Sequence, residues 1–151
     1  MIKYSFYIQE GGSAVQVRLH IVGTQAFDGQ SDTVTQTVDG TMTIQGDVVC
    51  LCYTEQDDDA KTAVTVTATA QEVTVKRQGA FSSLLQMRPQ MRCRSEYGTP
   101  YGTFEVTTFT HALRRCVDEH GGELFLTYSL TLGGQTMENT LHMTIERTNL
   151  S

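Results

Sequence analysis

Gly122-Glu-Leu-Phe-Leu-Thr-Tyr-Ser-Leu-Thr-Leu132 runs into Gly133-Gly134 and then Gln135-Thr-Met-Glu-Asn-Thr-Leu-His-Met-Thr-Ile-Glu-Arg147. In the first half Leu124, Leu126, Tyr128, Leu130 and Leu132 alternate with Glu123, Thr127, Ser129 and Thr131. In the second, Leu141, Met143 and Ile145 alternate with Thr140, His142, Thr144 and Glu146. A period of two sends one set of side chains to each face of a strand, whereas a helix would scatter the apolar set around its circumference. The glycine pair between the runs can adopt the positive φ values of a tight hairpin turn.

The same alternation extends outward along the chain. Val15, Val17, Leu19 and Ile21 oppose Gln16, Arg18 and His20, and Val64, Val66 and Ala68 oppose Thr65, Thr67 and Thr69. Further turn signals lie at Gly11-Gly12, Asp39-Gly40, Gly46-Asp47, 55–60, 98–102 and Gly121-Gly122. These marks predict strands near 14–25, 33–44, 47–55, 61–70, 72–77, 81–87, 91–97, 102–110, 122–132 and 136–147, with a weaker one at 2–9. The stretch 110–120 reads either as a short helix or as an extended strand with a bulge. Many short strands with one apolar face each give a sandwich or a barrel, and closure removes exposed sheet edges. The expectation is an all-β, closed antiparallel barrel of about eight to ten strands, which side chains can fill or which can hold one small ligand.

Composition agrees. The 151 residues are 39% hydrophobic and 19% charged, enough for one core and a wet surface and too few for two. A formal charge of −6 argues against nucleic acid and anionic membrane as partners. No apolar run approaches the roughly 20 residues of a membrane helix. Residues 1–13 lack a long apolar core and a small-residue cleavage site, and read as an extra edge strand or a leader. A cytoplasmic protein follows, with Cys50, Cys52, Cys93 and Cys116 reduced and in or near the core.

Several short motifs fall in a recognisable order. They are Gly23-Thr-Gln25, Tyr53-Thr-Glu55, Arg77-Gln-Gly79, Met87, Tyr97-Gly-Thr-Pro-Tyr-Gly102 and Gly122 to Leu130. In order and spacing they resemble the YwiB-like family of uncharacterised bacterial proteins, over roughly residues 14–147. That family is similar in fold to the calycins, closed barrels that include lipocalins. The resemblance therefore implies a calycin-like barrel and no activity. The chain has no tryptophan and so lacks the glycine-x-tryptophan signature of lipocalins.

Candidate site residues are few. Pro100 fixes its own φ and biases Thr99 toward extension, while Gly98 and Gly102 allow positive φ. Tyr97 and Tyr101 then flank a turn at a barrel mouth, as an aromatic lip or as a purely structural closure. Lys76, Arg77, Arg88, Arg92 and Arg94 hold 5 of the 11 lysines and arginines. Arg92 and Arg94 share a strand face and could bind phosphate or carboxylate, or form a solvated outer face paired with Glu72, Glu96 and Glu105. Arg77, if it points inward, needs a carboxylate or a bound anion.

No catalytic elbow, phosphate loop or zinc motif is present. Cys50 and Cys52 lie on one strand face without the spacing of a zinc knuckle. The acidic run 55–59 reads as a solvated hairpin tip. The expectation is a non-enzymatic module without metal or cofactor, binding a small anionic or amphipathic ligand through Arg77, Arg92, Arg94, Tyr97, Tyr101 and Tyr128. The alternative is an interaction protein acting through the Arg88–Arg94 face.

Overall fold

A computed structural model describes residues 14–57, 60–79 and 81–148. The weak strand expected at 2–9, the role of residues 1–13 and the tip of the acidic run lie outside the described residues. The first five strands are β1 (Val15–Phe27), β2 (Gln30–Gln45), β3 (Val48–Asp57), β4 (Ala60–Ala68) and β5 (Val73–Gln78). Then follow β6 (Ser82–Met87), β7 (Arg92–Thr99), β8 (Gly102–Asp118), β9 (Gly121–Leu132) and β10 (Gln135–Arg147). Each strand pairs antiparallel with its sequence neighbours, and β10 pairs with β1 to close the barrel. Among the described residues there is no helix.

The threonine- and valine-rich runs form strands because Cβ branching suits a pleated surface. Their alternation fills the lumen. Leu19, Met42, Leu51, Val64, Val66, Val73, Met87, Leu124, Leu126 and Met143 are all at most 1% exposed. The middle of the barrel is thus a packed core, and open space is confined to the two ends. The hairpins after odd-numbered strands gather at one end, the mouth. The hairpins after even-numbered strands gather at the other, with the start of β1 and the end of β10.

The stretch 110–120 resolves as strand. β8 runs on to Asp118, with a register shift against β9 between Thr110 and Ala112. The extra residue, His111, lets a 17-residue strand follow the curved wall. Gly121 and Gly122 then open β9 with φ of 121° and 147°, and a Cβ on Gly122 would stand 1.9 Å from the Cys116 carbonyl oxygen. Only glycine fits so close a backbone approach.

Burial corrects the expected place of three of the cysteines, while Cys93 keeps the inward phase of β7 beside buried Thr108. Val49, Leu51 and Tyr53 take the inward positions of β3, so Cys50 and Cys52 face outward and are half-buried. Cys93 is half-buried and Cys116 is exposed. All four are free thiols.

One seam in the wall is thin. β6 and β7 pair only through Ser82 with Gly98 and Ser83 with Tyr97. Beyond that point β7 is bypassed. The buried Thr108 hydroxyl donates to the Gln86 carbonyl at 2.7 Å, and the Gln90 backbone and side-chain amides donate to the carbonyls of Thr110 and His111. Inward-facing Thr110 is fully buried, and its hydroxyl has no partner among the described residues.

Two stability measurements check this account. Thr110→Val removes a buried hydroxyl without changing shape, and should raise stability by about 1 kcal/mol, seen as a melting temperature about 2–4 °C higher. An unchanged or lower value would show that the hydroxyl is satisfied. Gly122→Ala forces a backbone clash and should cost about 3 kcal/mol or more in chemical denaturation. A variant as stable as the parent would refute the close approach.

Candidate functional site

Continuing the inward positions of each strand past the core leads into the mouth. On β1 the series Val17, Leu19, Ile21 ends in Gly23 and Gln25; on β3, Val49, Leu51, Tyr53 ends in Glu55. On β5, Val73 and Val75 lead to Arg77, and on β9 Leu124 and Leu126 lead to Tyr128. On β10, Ile145, Met143 and Leu141 lead to Asn139. Core alternation therefore delivers a ring of polar side chains inside the mouth.

Arg77 and Glu55 meet at its centre. Arg77 Nε donates to Glu55 Oε1 at 3.3 Å and Nη2 to Oε2 at 3.5 Å. Gln36 Nε2 donates to Glu55 Oε2 at 3.3 Å. The paired side chains are 35% and 25% exposed, so water reaches them from the mouth. Burial alone would lower the Arg77 pKa, but the hydrogen bonds and charge of Glu55 outweigh it and raise it. Gln25 Nε2 donates to Asn139 Oδ1 at 3.3 Å, and Asn139 Nδ2 to the Met137 carbonyl at 3.1 Å. Burial, then the Glu55 charge, pushes the Tyr53 phenol up to about 12, against Arg77; burial likewise raises Tyr128. At neutral pH both phenols keep their protons and can donate.

The ion pair lines two adjoining cavities. The larger, about 430 Å3, also has Gln25, Asp32, Gln36, Tyr128 and Asn139 in its wall. The smaller, about 220 Å3, has Thr62, Phe81, Ser83 and Tyr97. Phe81 and Tyr97 lie parallel there, 6.1 Å between ring centroids. The mouth is thus a bowl with a charged floor, an amide-and-phenol side and an aromatic side. A further cavity at the opposite end, about 590 Å3, is lined by Met42, Ile44, Val117, Arg115 and Arg147 among others. Arg115 there is engaged by Asp47 and by the carbonyls of Asp47 and Ala68.

Of the sequence candidates, Arg77, Tyr97 and Tyr128 come together in the mouth. Tyr101 does not: it sits at the tip of the β7–β8 hairpin, 93% exposed. Arg92 and Arg94 lie on the outer wall of β7. Arg94 pairs with Glu105, Arg92 lies 5.7 Å from the Phe109 ring centroid, and nearby Arg88 pairs with Glu72 at 3.3 Å. These basic side chains are already partnered on the surface. Glu55 differs from the solvated tip expected of the acidic run, because it continues the inward series of β3. Its signal, and that of Gln25 and Asn139, was the period-two phase carried beyond the last apolar residue.

The outer wall holds one further cluster that spacing did not reveal. Ser129 Oγ donates to Glu138 and lies 2.7 Å from His111 Nε2. The carboxylate meets the serine rather than the far imidazole nitrogen, so this is not the arrangement that activates a serine nucleophile. Among the described residues no three histidine, cysteine or acidic side chains converge as a metal site.

The relatives share this architecture. The chain is 25% identical over 129 residues to the uncharacterised β-barrel protein YwiB of Bacillus subtilis, covering 85% of this chain and 90% of that one. It superposes on the crystal structure of the Bacillus subtilis ywiB protein with a TM-score of 0.85 at 21% identity, covering 93% of this chain and 98% of that one. The model of a domain of unknown function, DUF1934, matches residues 19–145, a span that contains every mouth residue named above, and the chain therefore belongs to the DUF1934 family.

Proposed function

We propose that this chain is a calycin-like, non-enzymatic binding module whose site is the mouth bowl around Arg77, holding a small anionic or amphipathic molecule. The observation that carries the reading is a half-buried ion pair at the floor of an open cavity, directly beyond the packed apolar middle of the barrel. Groups that converge in a concave site, with a few placed polar atoms among apolar walls, are the usual makings of a ligand pocket. Glu55 occupies the Nε and Nη2 side of the Arg77 guanidinium. An anionic or polar head would take the other side of that cation, with Gln25, Asn139 and Tyr128 within the same cavity. An apolar portion would lie along Phe81 and Tyr97. A cytoplasmic location fits the four free thiols.

Native mass spectrometry of the freshly purified chain tests this. The parent should carry a small-molecule adduct, Arg77→Gln should lose it, and Arg94→Gln on the outer wall should keep it. Saturation with the released compound at about 100 times its dissociation constant should stabilise the parent by about 2.7 kcal/mol, raising the melting temperature by about 5–10 °C. Loss of the adduct in Arg94→Gln with retention in Arg77→Gln would move the site to the outer wall and defeat the proposal.

A further inference from the structure

Cys50 and Cys52 stand two residues apart on β3 and face outward together. The register sets Thr43 and Thr67 beside Cys50, and Thr41 and Thr65 beside Cys52. Two half-buried thiols are therefore walled by four hydroxyl-bearing side chains on the neighbouring strands.

Strand geometry decides what such a pair can do. A rise of about 3.4 Å per residue places the two β-carbons about 6.8 Å apart, whereas a disulfide needs them at about 3.5–4.5 Å. The pair cannot join covalently without bending the strand. Two thiols on one strand face can instead grip one atom between them. Among the described residues no third histidine, cysteine or acidic group joins them, which removes the four-coordinate site that structural zinc requires. Soft thiolates select Cu(I) among the available metals, and a closed-shell monovalent ion is satisfied by two ligands in line.

We propose that Cys50 and Cys52 form a two-coordinate dithiolate site on the outer wall of the barrel for a soft monovalent cation, Cu(I). Binding breaks two S–H bonds and forms two S–Cu bonds. Both protons leave to solvent, the copper stays Cu(I), and the complex carries one negative charge. The flanking threonine hydroxyls can donate to the sulfurs and spread that charge.

The test is competition for Cu(I) with the chromophoric chelator bicinchoninate, on the full reduced chain without oxygen. The parent should withdraw one equivalent. Cys50→Ser and Cys52→Ser should each weaken binding by more than about 100-fold, with circular dichroism confirming the fold, while Cys93→Ser and Cys116→Ser should bind as the parent does. In the unmutated chain, one equivalent of Ag(I) should shield Cys50 and Cys52 together from iodoacetamide, as read by peptide mass spectrometry. A parent that takes no copper from the chelator would overturn the proposal. So would a Cys50→Ser/Cys52→Ser double variant that binds equally well, or silver shielding of Cys93 or Cys116 instead.

Discussion

In a closed sheet each side chain has two destinations, the lumen or the outer wall, and its neighbour along the strand must take the other. Every later feature of this protein follows from that binary assignment. With ten strands in the ring, the lumen is narrow enough for one layer of leucine, valine and methionine to fill its middle. A charged or amide side chain in phase with the core lies where the strand approaches an end and water can reach it, whereas the small hydroxyls of Thr108 and Thr110 stay buried further in. Glu55, Arg77, Gln25 and Asn139 obey this rule, each lying toward the mouth from the last buried apolar residue of its strand. The mouth is polar because the phase persists after the hydrophobic pattern has stopped.

That distinction explains what could be read in advance. Leu124 to Leu132 and Leu141 to Ile145 fixed the faces of β9 and β10 unaided, because alternation over so many residues leaves one register with a dry interior. The course of β8 was legible only as a choice between helix and bulged strand. His111 breaks the phase locally, and only pairing with β9 shows that the strand resumes. Cys50 and Cys52 misled for a related reason. Their small apolar character suggests burial, yet their phase on β3 is opposite to that of Leu51 and Tyr53. Phase won over residue type. The union of Arg77 with Glu55 could not be foreseen, because 22 residues and an intervening strand separate them.

The two kinds of charged pair in this barrel differ in weight. Arg18 with Asp39 and Arg94 with Glu105 lie across neighbouring strands on the outer wall, where water and salt screen them and such pairs contribute little, about 0–1 kcal/mol. Arg77 with Glu55 is set inside the rim and shares its carboxylate with Gln36. Removing either partner there strands a half-desolvated charge, so the two act as a unit. The outer wall is fitted for solubility, and the inner rim for holding a fixed arrangement of donors and acceptors.

The short β6–β7 ladder has a mechanical meaning. Everywhere else around the ring, prising two strands apart breaks at least five consecutive residue pairings, whereas here two pairings and a few side-chain and loop bonds hold the wall. The cylinder is consequently anisotropic, stiff around most of its girth and compliant along one line. The two pairings, Ser82 with Gly98 and Ser83 with Tyr97, tie the seam at the rim, so the compliant line starts just beneath the aromatic side of the bowl and runs from Leu84 toward the opposite end of the barrel.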